Sequence, residues 1–494
     1  MKYALYLLSA VFSVLSVTSC ISDEDFPTPA GATFRLSADT IDFDTVITHT
    51  ASATRSLTIY NDNSDGLSIT SVTIEGEDAT QFLANVDGAS FNGREARGES
   101  QSTIDCRGKD SLIAFVQFNA KDIDQDDAAL SEASLVLTLA NGKRQSIVLQ
   151  GYSLDAIELR GKVYSTDATL AATRPYVVYD SLVVAEGATL TLAAGTTLLM
   201  RPEAYIEVRG TLIADGTLEQ PVTVRGHRLD DMFKHQPYDR IDNQCQGITF
   251  TTSSYGNRLS YCDIHSSNYG VVCDSSEVSK LKLTIENSIL HNTKQDALSL
   301  TSTQAFIGNT QISNAEGNCV TVRGGDQQFI HCTIASFNPF TAMRGNALVF
   351  SNTIDNHPCP LQRLDIINSI VTGYASDEIF GERSEDEGVP FNFTFRNSLL
   401  CTPEISDEPQ SSMLNVQCSI NNVWEEPKDS ITRARNFVPF DLESLYFDFN
   451  LRDDSKARAL GDIDITNLYY PLDRLGRRRT PTADAGCYQY QDQD

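Results

Sequence analysis

The stretch from His227 to Gln246, HRLDDMFKHQPYDRIDNQCQ, concentrates the side chains best suited to chemistry. Asp230, Asp231, Asp239 and Asp242 stand there among Arg228, Lys234, His235, Tyr238 and Arg240. Two chemistries use such residues: a pair of carboxylates at a set separation for sugar hydrolysis, or metal-binding acids with an Arg or Lys base. All of these acids lie in one loop, and no matching acids recur at stacked positions, so neither set is complete. Phe233 and Tyr238 could stack on sugar rings. Arg228, Asp230, Asp231, Phe233, Tyr238, Asp239, Arg240 and Asp242 therefore form the candidate ligand-binding loop. The competing reading is structural: Asp230, Asp239 and Asp242 pair with Arg228, Arg240 or backbone donors and hold the loop in shape. Leu229, Met232, Phe233, Pro237 and Tyr238 should dock on a wall, because together they would otherwise expose a large apolar patch. Outside the loop, Glu203, Tyr205, Glu207 and Arg209 alternate as a solvated strand face would. His265 and His291 fall one position apart when the repeats below are aligned, so no histidine ladder and no metal set is expected.

These residues must be positioned by a repeat. The phrases YCDIH, ENSIL, GNTQI, HCTIA, INSIV and RNSLL recur between Tyr261 and Leu400. Aligned on their second letter, they place Cys262, Asn287, Asn309, Cys332, Asn368 and Asn397 in one slot. Spacings run from 22 residues (Asn287 to Asn309) to 36 (Cys332 to Asn368). A short β-rich period with insertions in some repeats is the mark of a stacked-coil solenoid. Asn alone would suit a left-handed bend, but Cys has no such preference. A small inward position, with Asn amides bonded from coil to coil, accommodates both. Beyond Ser398 the repeats decay into a polar region containing Trp424.

The chain carries 66 acidic against 38 basic residues, a net charge of −28. Nucleic acid and anionic lipid are poor partners for such a surface. Of 11 Cys, several fall in repeat positions and none shows metal-ligand spacing; Cys401 and Cys418 are the disulfide candidates. The acidic run Asp122, Asp124, Asp126, Asp127 lacks the Gly and distal Glu of a calcium loop. It reads as a solvated turn, so no cofactor is implied and a structural calcium ion lacks support.

Lys2, the apolar run Ala4 to Val17 and then Thr18-Ser19-Cys20 form a secretory signal too short to span a bilayer stably. The run resembles a bacterial lipoprotein signal, with Val17 where Leu is usual. The resemblance implies cleavage after residue 19 and lipid on Cys20. Ser22, Asp23, Glu24 and Asp25 resemble the acidic export tag of Bacteroidota surface lipoproteins, implying display on the outer face of the outer membrane.

Residues 20–32 read as a linker. Short alternating strands follow, with Asn141-Gly142 between two apolar runs as a hairpin signal, giving a β-sandwich over 33–157. IDFDTV, DSLIAFVQF and ANGKRQSIVLQGYSLDA resemble the immunoglobulin-like domain of Bacteroidota β-helix lipoproteins. From Tyr176 the sequence resembles the opening coils of right-handed parallel β-helix proteins of the pectin-lyase-like type, burying Leu190, Leu192, Leu198, Ile206, Val208, Leu212, Val222 and Val224. RLDDMF and PYDR strengthen the likeness to that lipoprotein family, which usually carries an aromatic near Cys245. The expected fold is all-β: the sandwich, a β-helix over 158–440, and a segment 441–494 that caps the last coil. In that segment Asp473, Gly476, Arg478, Asp484, Gly486 and Tyr488 match a closing pattern of bacterial β-helix proteins, while Cys487 and Gln489 depart from it. Arg477, Arg478 and Arg479 should ion-pair within it. The resemblance supplies no activity. The expected role is glycan or surface binding by a lipid-anchored protein, with a polysaccharide lyase or glycoside hydrolase as the alternative.

Overall fold

A computed structural model describes residues 26–92, 103–233, 235–404, 419–425 and 434–492. The chain divides into two compact units, the first drawn from positions up to 43, 50–121 and 130–152, the second from 44–49, 122–129 and 153–494. The first unit holds two five-stranded sheets. Its strands alternate as the sequence does; in Ser111–Phe118 every second residue from Leu112 to Phe118 is buried. Phe43, Phe82 and Phe118 meet at its centre with ring centroids 5.0–6.0 Å apart. At the expected hairpin Gly142 takes φ +80°, a conformation open to a residue without Cβ. The Asn141 side chain accepts the amide of Lys143 and so closes the turn.

The second unit is built on one 26-stranded sheet. Its strands pair in parallel with the equivalent strand of the next coil, in three columns. One column runs through Asn257–Ser260, Leu281–Glu286 and the end of Leu298–Gly308. The second runs through Cys262–His265, Ile289–His291, Gln311–Ser313 and Thr333–Ser336. The third runs through Gly247–Phe250, Val271–Cys273 and the start of Leu298–Gly308. This is a solenoid compatible with a parallel β-helix. The eight early-coil residues expected inside are all buried, in one core that continues to Leu400. The coils also go further than the repeated phrase suggested. Ile420 pairs beside Arg396 and Trp424 beside Leu400, so INNVW is one more copy of the motif.

The recurrent slot differs from its expectation in register. Asn287, Asn309, Asn368 and Asn397 all take φ of 50–52°, and their partners in the ladder are Tyr261 (φ 47°), His331 (φ 54°) and Asn421 (φ 51°). The slot is a left-handed bend between two columns after all, and Asn favours it because it tolerates that conformation. Cys262 and Cys332 belong one residue later, with Ser288, Thr310, Ser369 and Ser398. There each Ser or Thr hydroxyl donates to the carbonyl two residues back, as Ser288 does to Glu286 and Ser369 to Ile367 (both 2.8 Å). The hydroxyl also accepts the amide of the neighbouring coil, as from Cys262 and Cys332 (both 3.0 Å). The thiols repeat the donation at 3.6 Å, so Cys here is a weaker stand-in for Ser.

Among the described residues, the C-terminal segment touches several successive coils. It lies along the side of the solenoid, over the bend ladder. Asn397 and Asn368 donate to the carbonyls of Leu460 and Asp462. His331 bonds Thr466 Oγ1 at 2.8 Å, Tyr470 donates to Glu286 at 2.7 Å, and Tyr488 donates to Gln311 at 2.7 Å. The approach is close: a Cβ on Gly308 would stand 1.9 Å from the Tyr470 hydroxyl. Left-handed corners turn their side chains outward, and the segment supplies the partners those polar groups need.

Candidate functional site

Correcting the register by one residue brings together what the sequence alignment held apart. His265 pairs directly with His291 across adjacent coils. Their rings stack with centroids 4.7 Å apart. Both address one oxygen of Asp263: His265 Nδ1 lies 3.0 Å and His291 Nε2 3.1 Å from its Oδ1. Strand alternation explains the grouping, since residues 263 and 265 point to one face and 264 to the core. Partial burial pushes the Asp263 carboxyl upward, but the charge and hydrogen bonds of the two imidazoles outweigh it and hold it well below the usual range. Burial drives the His265 imidazole down.

Asp263 and His291 open into a cleft of about 300 Å³ between the coil wall and the C-terminal segment. The wall contributes Asn292, Gln311 and Asn314, and the segment contributes Tyr446, Asp448, Arg474 and Tyr488. Tyr446 is positioned by a small turn in which Asp441 and Tyr446 exchange backbone hydrogen bonds, while Phe440, Phe447 and Phe449 pack together beneath it. The Asp448 carboxylate accepts the amide and side chain of Asn450, which shapes the turn. The cleft thus gathers amide donors and acceptors, an imidazole, two guanidinium groups and aromatic rings from the coils, the loop and the segment.

The loop at 227–246 is placed differently from its role as a ligand site. Of its eight candidate residues, only Arg240 lines the cleft; its guanidinium lies 5.2 Å from the Tyr446 ring centre. Arg228 grips buried Asp230 with two bonds of 2.8 and 2.6 Å and covers the Tyr238 ring at 4.5 Å. Asp239 is 3.8 Å from Arg225 and 3.5 Å from Arg240. Asp231 receives no side-chain partner from this group; its amide meets Asp44. Burial raises the Asp242 carboxyl. These pairings are those of a loop held in shape. Leu229 packs against Val177 and Leu199 as expected, but Phe233 is 63% exposed rather than docked, because the short strand pair Asp231–Phe233 and Gln236–Pro237 turns it outward.

Other expected groups are soon placed. Arg174 meets Asp126 at 2.5 Å and Asp124 at 3.9 Å, which answers the charge of the acidic run. Arg477 bonds Asn450 and the carbonyl of Gln489, and Arg479 is fully buried. Cys401 is buried with its thiol 3.4 Å from the Ala375 carbonyl. Cys418, Lys234, Cys20, Ser22, Asp23, Glu24 and Asp25 lie outside the described residues. No helix among the described residues is long and apolar enough to cross a membrane.

The sequence reading missed Asp263, His265, His291 and Tyr446. For the first three a signal was present: in the phrase after each bend a small Ser, Thr or Cys recurs, and aligning on it puts both His in one position.

No protein-family model matches the chain, and no curated protein matches it. Among solved structures, the E. coli chaperone DraB is similar at 11% identity and TM-score 0.17, over 25% of this chain and 54% of that one. The PapD-like domain 7 of human CEP192 is similar at 10% identity and TM-score 0.17, over 28% and 96%. The catalytic unit of the GH87 α-1,3-glucanase from Streptomyces thermodiastaticus is similar at 9% identity and TM-score 0.20, over 75% and 89%.

Proposed function

We propose that this chain is a lipid-anchored protein of the outer membrane, facing outward, whose right-handed parallel β-helix binds a polysaccharide or cell-surface glycan. The observation that supports the reading best is the cleft of Asp263 and His291, where Asn292, Gln311 and Asn314 stand opposite Tyr446 and Arg240. Sugars are recognised by this mixture, amides meeting hydroxyls and an aromatic face meeting the ring. Tyr446 is 49% exposed, so it is available to a ligand without unfolding anything. The net charge of −28 favours neutral or sparsely charged glycans over polyanions for the surface as a whole.

Asp263 and Asp448 both line the cleft, which favours one second reading, a polysaccharide lyase or glycoside hydrolase. A single screen separates the two. Surface polysaccharides are offered to the purified protein, and both retention and cleavage are read. Retention without cleavage is expected, weakened about tenfold or more by Arg240→Ala with Tyr446→Ala, with the melting temperature unchanged. Retention that survives this double variant, or no retention at all, would remove the cleft from the proposal. Release of new chain ends would favour the enzyme.

The anchor has its own test. Cys20→Ala is expected to release the protein from membranes or block its maturation; unchanged attachment would rule the anchor out. Replacing Asp23, Glu24 and Asp25 with Ala should shield the protein from protease added outside the cell.

A further inference from the structure

We propose that Asp263, His265 and His291 form a site for a divalent transition-metal ion of the zinc class, with an open coordination position facing the cleft. The donor atoms of the three side chains all lie within 4.8 Å of one another, and the Asp263 oxygen is 3.0 and 3.1 Å from the two imidazole nitrogens. An ion bonded at about 2.0–2.1 Å to each holds its ligands at comparable separations. Two imidazoles with one carboxylate suit zinc, cobalt, nickel or iron, whereas calcium and magnesium prefer oxygen donors throughout.

Two features favour this reading over a plain pair of hydrogen bonds. The ligands stand on two adjacent rungs of one column, Cys262–His265 and Ile289–His291, so the backbone ladder fixes their spacing without help from loops. The exposure is also graded as an open metal site requires: His265 sits behind, while Asp263 and His291 line the cleft. Three protein ligands with the fourth position open is the arrangement of exchangeable rather than purely structural zinc. Arg225 lies on the neighbouring rung beside His265, and Arg240 and Arg474 line the same cleft. These cations oppose an uncompensated ion, so an anionic oxygen, hydroxide or carboxylate, is the fitting fourth ligand.

The inference does not rest on the carbohydrate reading, and its test uses no sugar. Wild-type protein stripped with a chelator and dialysed is titrated with Co²⁺, with Zn²⁺ as competitor. A single equivalent of cobalt giving the intense visible bands of a four- or five-coordinate site, displaced by zinc, is expected. His291→Ala should weaken binding by about 100-fold or more, with the far-UV dichroism and melting temperature of the wild type. Absence of stoichiometric binding to the wild type would overturn the proposal and leave a carboxylate shared by two imidazoles. Binding unchanged in His291→Ala would overturn it too. Should that variant fail to fold, anomalous diffraction from wild-type crystals soaked in Zn²⁺ decides: a peak bonded to the three side chains supports the site, and its absence there refutes it.

Discussion

Replacing Arg479 by Met is expected to destabilise the solenoid by about 3–5 kcal/mol. The guanidinium is completely buried. Its Nη2 donates to Asn309 Oδ1 at 2.8 Å and to the Gly486 carbonyl at 2.9 Å, and its Nη1 donates to the Asp484 carbonyl at 3.3 Å. Burial lowers its pKa to about 10, against the pull of Asp473 and Asp484, so at neutral pH it enters the interior charged. Met restores much of the volume but none of the donors. Asn309 Oδ1 and two carbonyls would lose their partners, at about 1–3 kcal/mol for each group left unsatisfied. Asp473 and Asp484 would also lose the attraction of this cation. Lys should rescue little, because one ammonium cannot reproduce a planar fork reaching three acceptors. Equilibrium urea unfolding measures the effect. A loss below about 1 kcal/mol would mean that the segment is not held on the bend ladder by this residue.

That ladder is also where the reach of the sequence ended. The repeat itself was legible because each coil must bury apolar residues at spacing two and bend at a fixed place. Its register was not, and the reason is local. ENSIL, INSIV and RNSLL each end in two adjacent apolar residues, of which only the second faces the core: Leu290, Val371 and Leu400 in line with Ile264. Matching the Ile of YCDIH to the first of the pair satisfies the apolar pattern and slips the register by one, and a slip of one turns every side chain to the opposite face. Tyr261 and His331 then looked like flanking residues, although they occupy the bend. The histidine pair was lost by the same step. The side docking of the C-terminal segment had no local signal at all, since its contacts join residues as far apart as Gln311 and Tyr488. For the loop at 227–246, charge composition sufficed for the Arg228–Asp230 pair. It could not tell which face a three-residue strand would give Phe233.

The closing segment carries the second large effect, at Asp473. Asp473→Ala is expected to cost about 3–5 kcal/mol, and Asp473→Asn about half as much. The carboxylate is buried and accepts three backbone amides: Leu475 at 2.9 Å and Arg477 at 2.7 Å on Oδ1, and Gln489 at 2.8 Å on Oδ2. The first two close the turn in which Gly476 takes φ +77°. The third ties that turn to the strand-like run that places Tyr488 on Gln311 and the Cys487 amide on Thr333. Asp473 therefore joins the two ends of the segment that lies on the coils. Ala leaves all three donors unpaired, the Gln489 amide buried and the other two partly so. Asn keeps an acceptor for the turn but points an amide group at the Gln489 N–H, so one bond is lost and two donors face each other. The order wild type, Asn, Ala should appear in unfolding midpoints. It should appear again in hydrogen exchange, as loss of protection at Leu475, Arg477 and Gln489 before the coil strands open. Equal stability of Asn and Ala would show that the turn, not the tie to Gln489, carries nothing. Equal stability of all three would remove Asp473 as the joint of the segment.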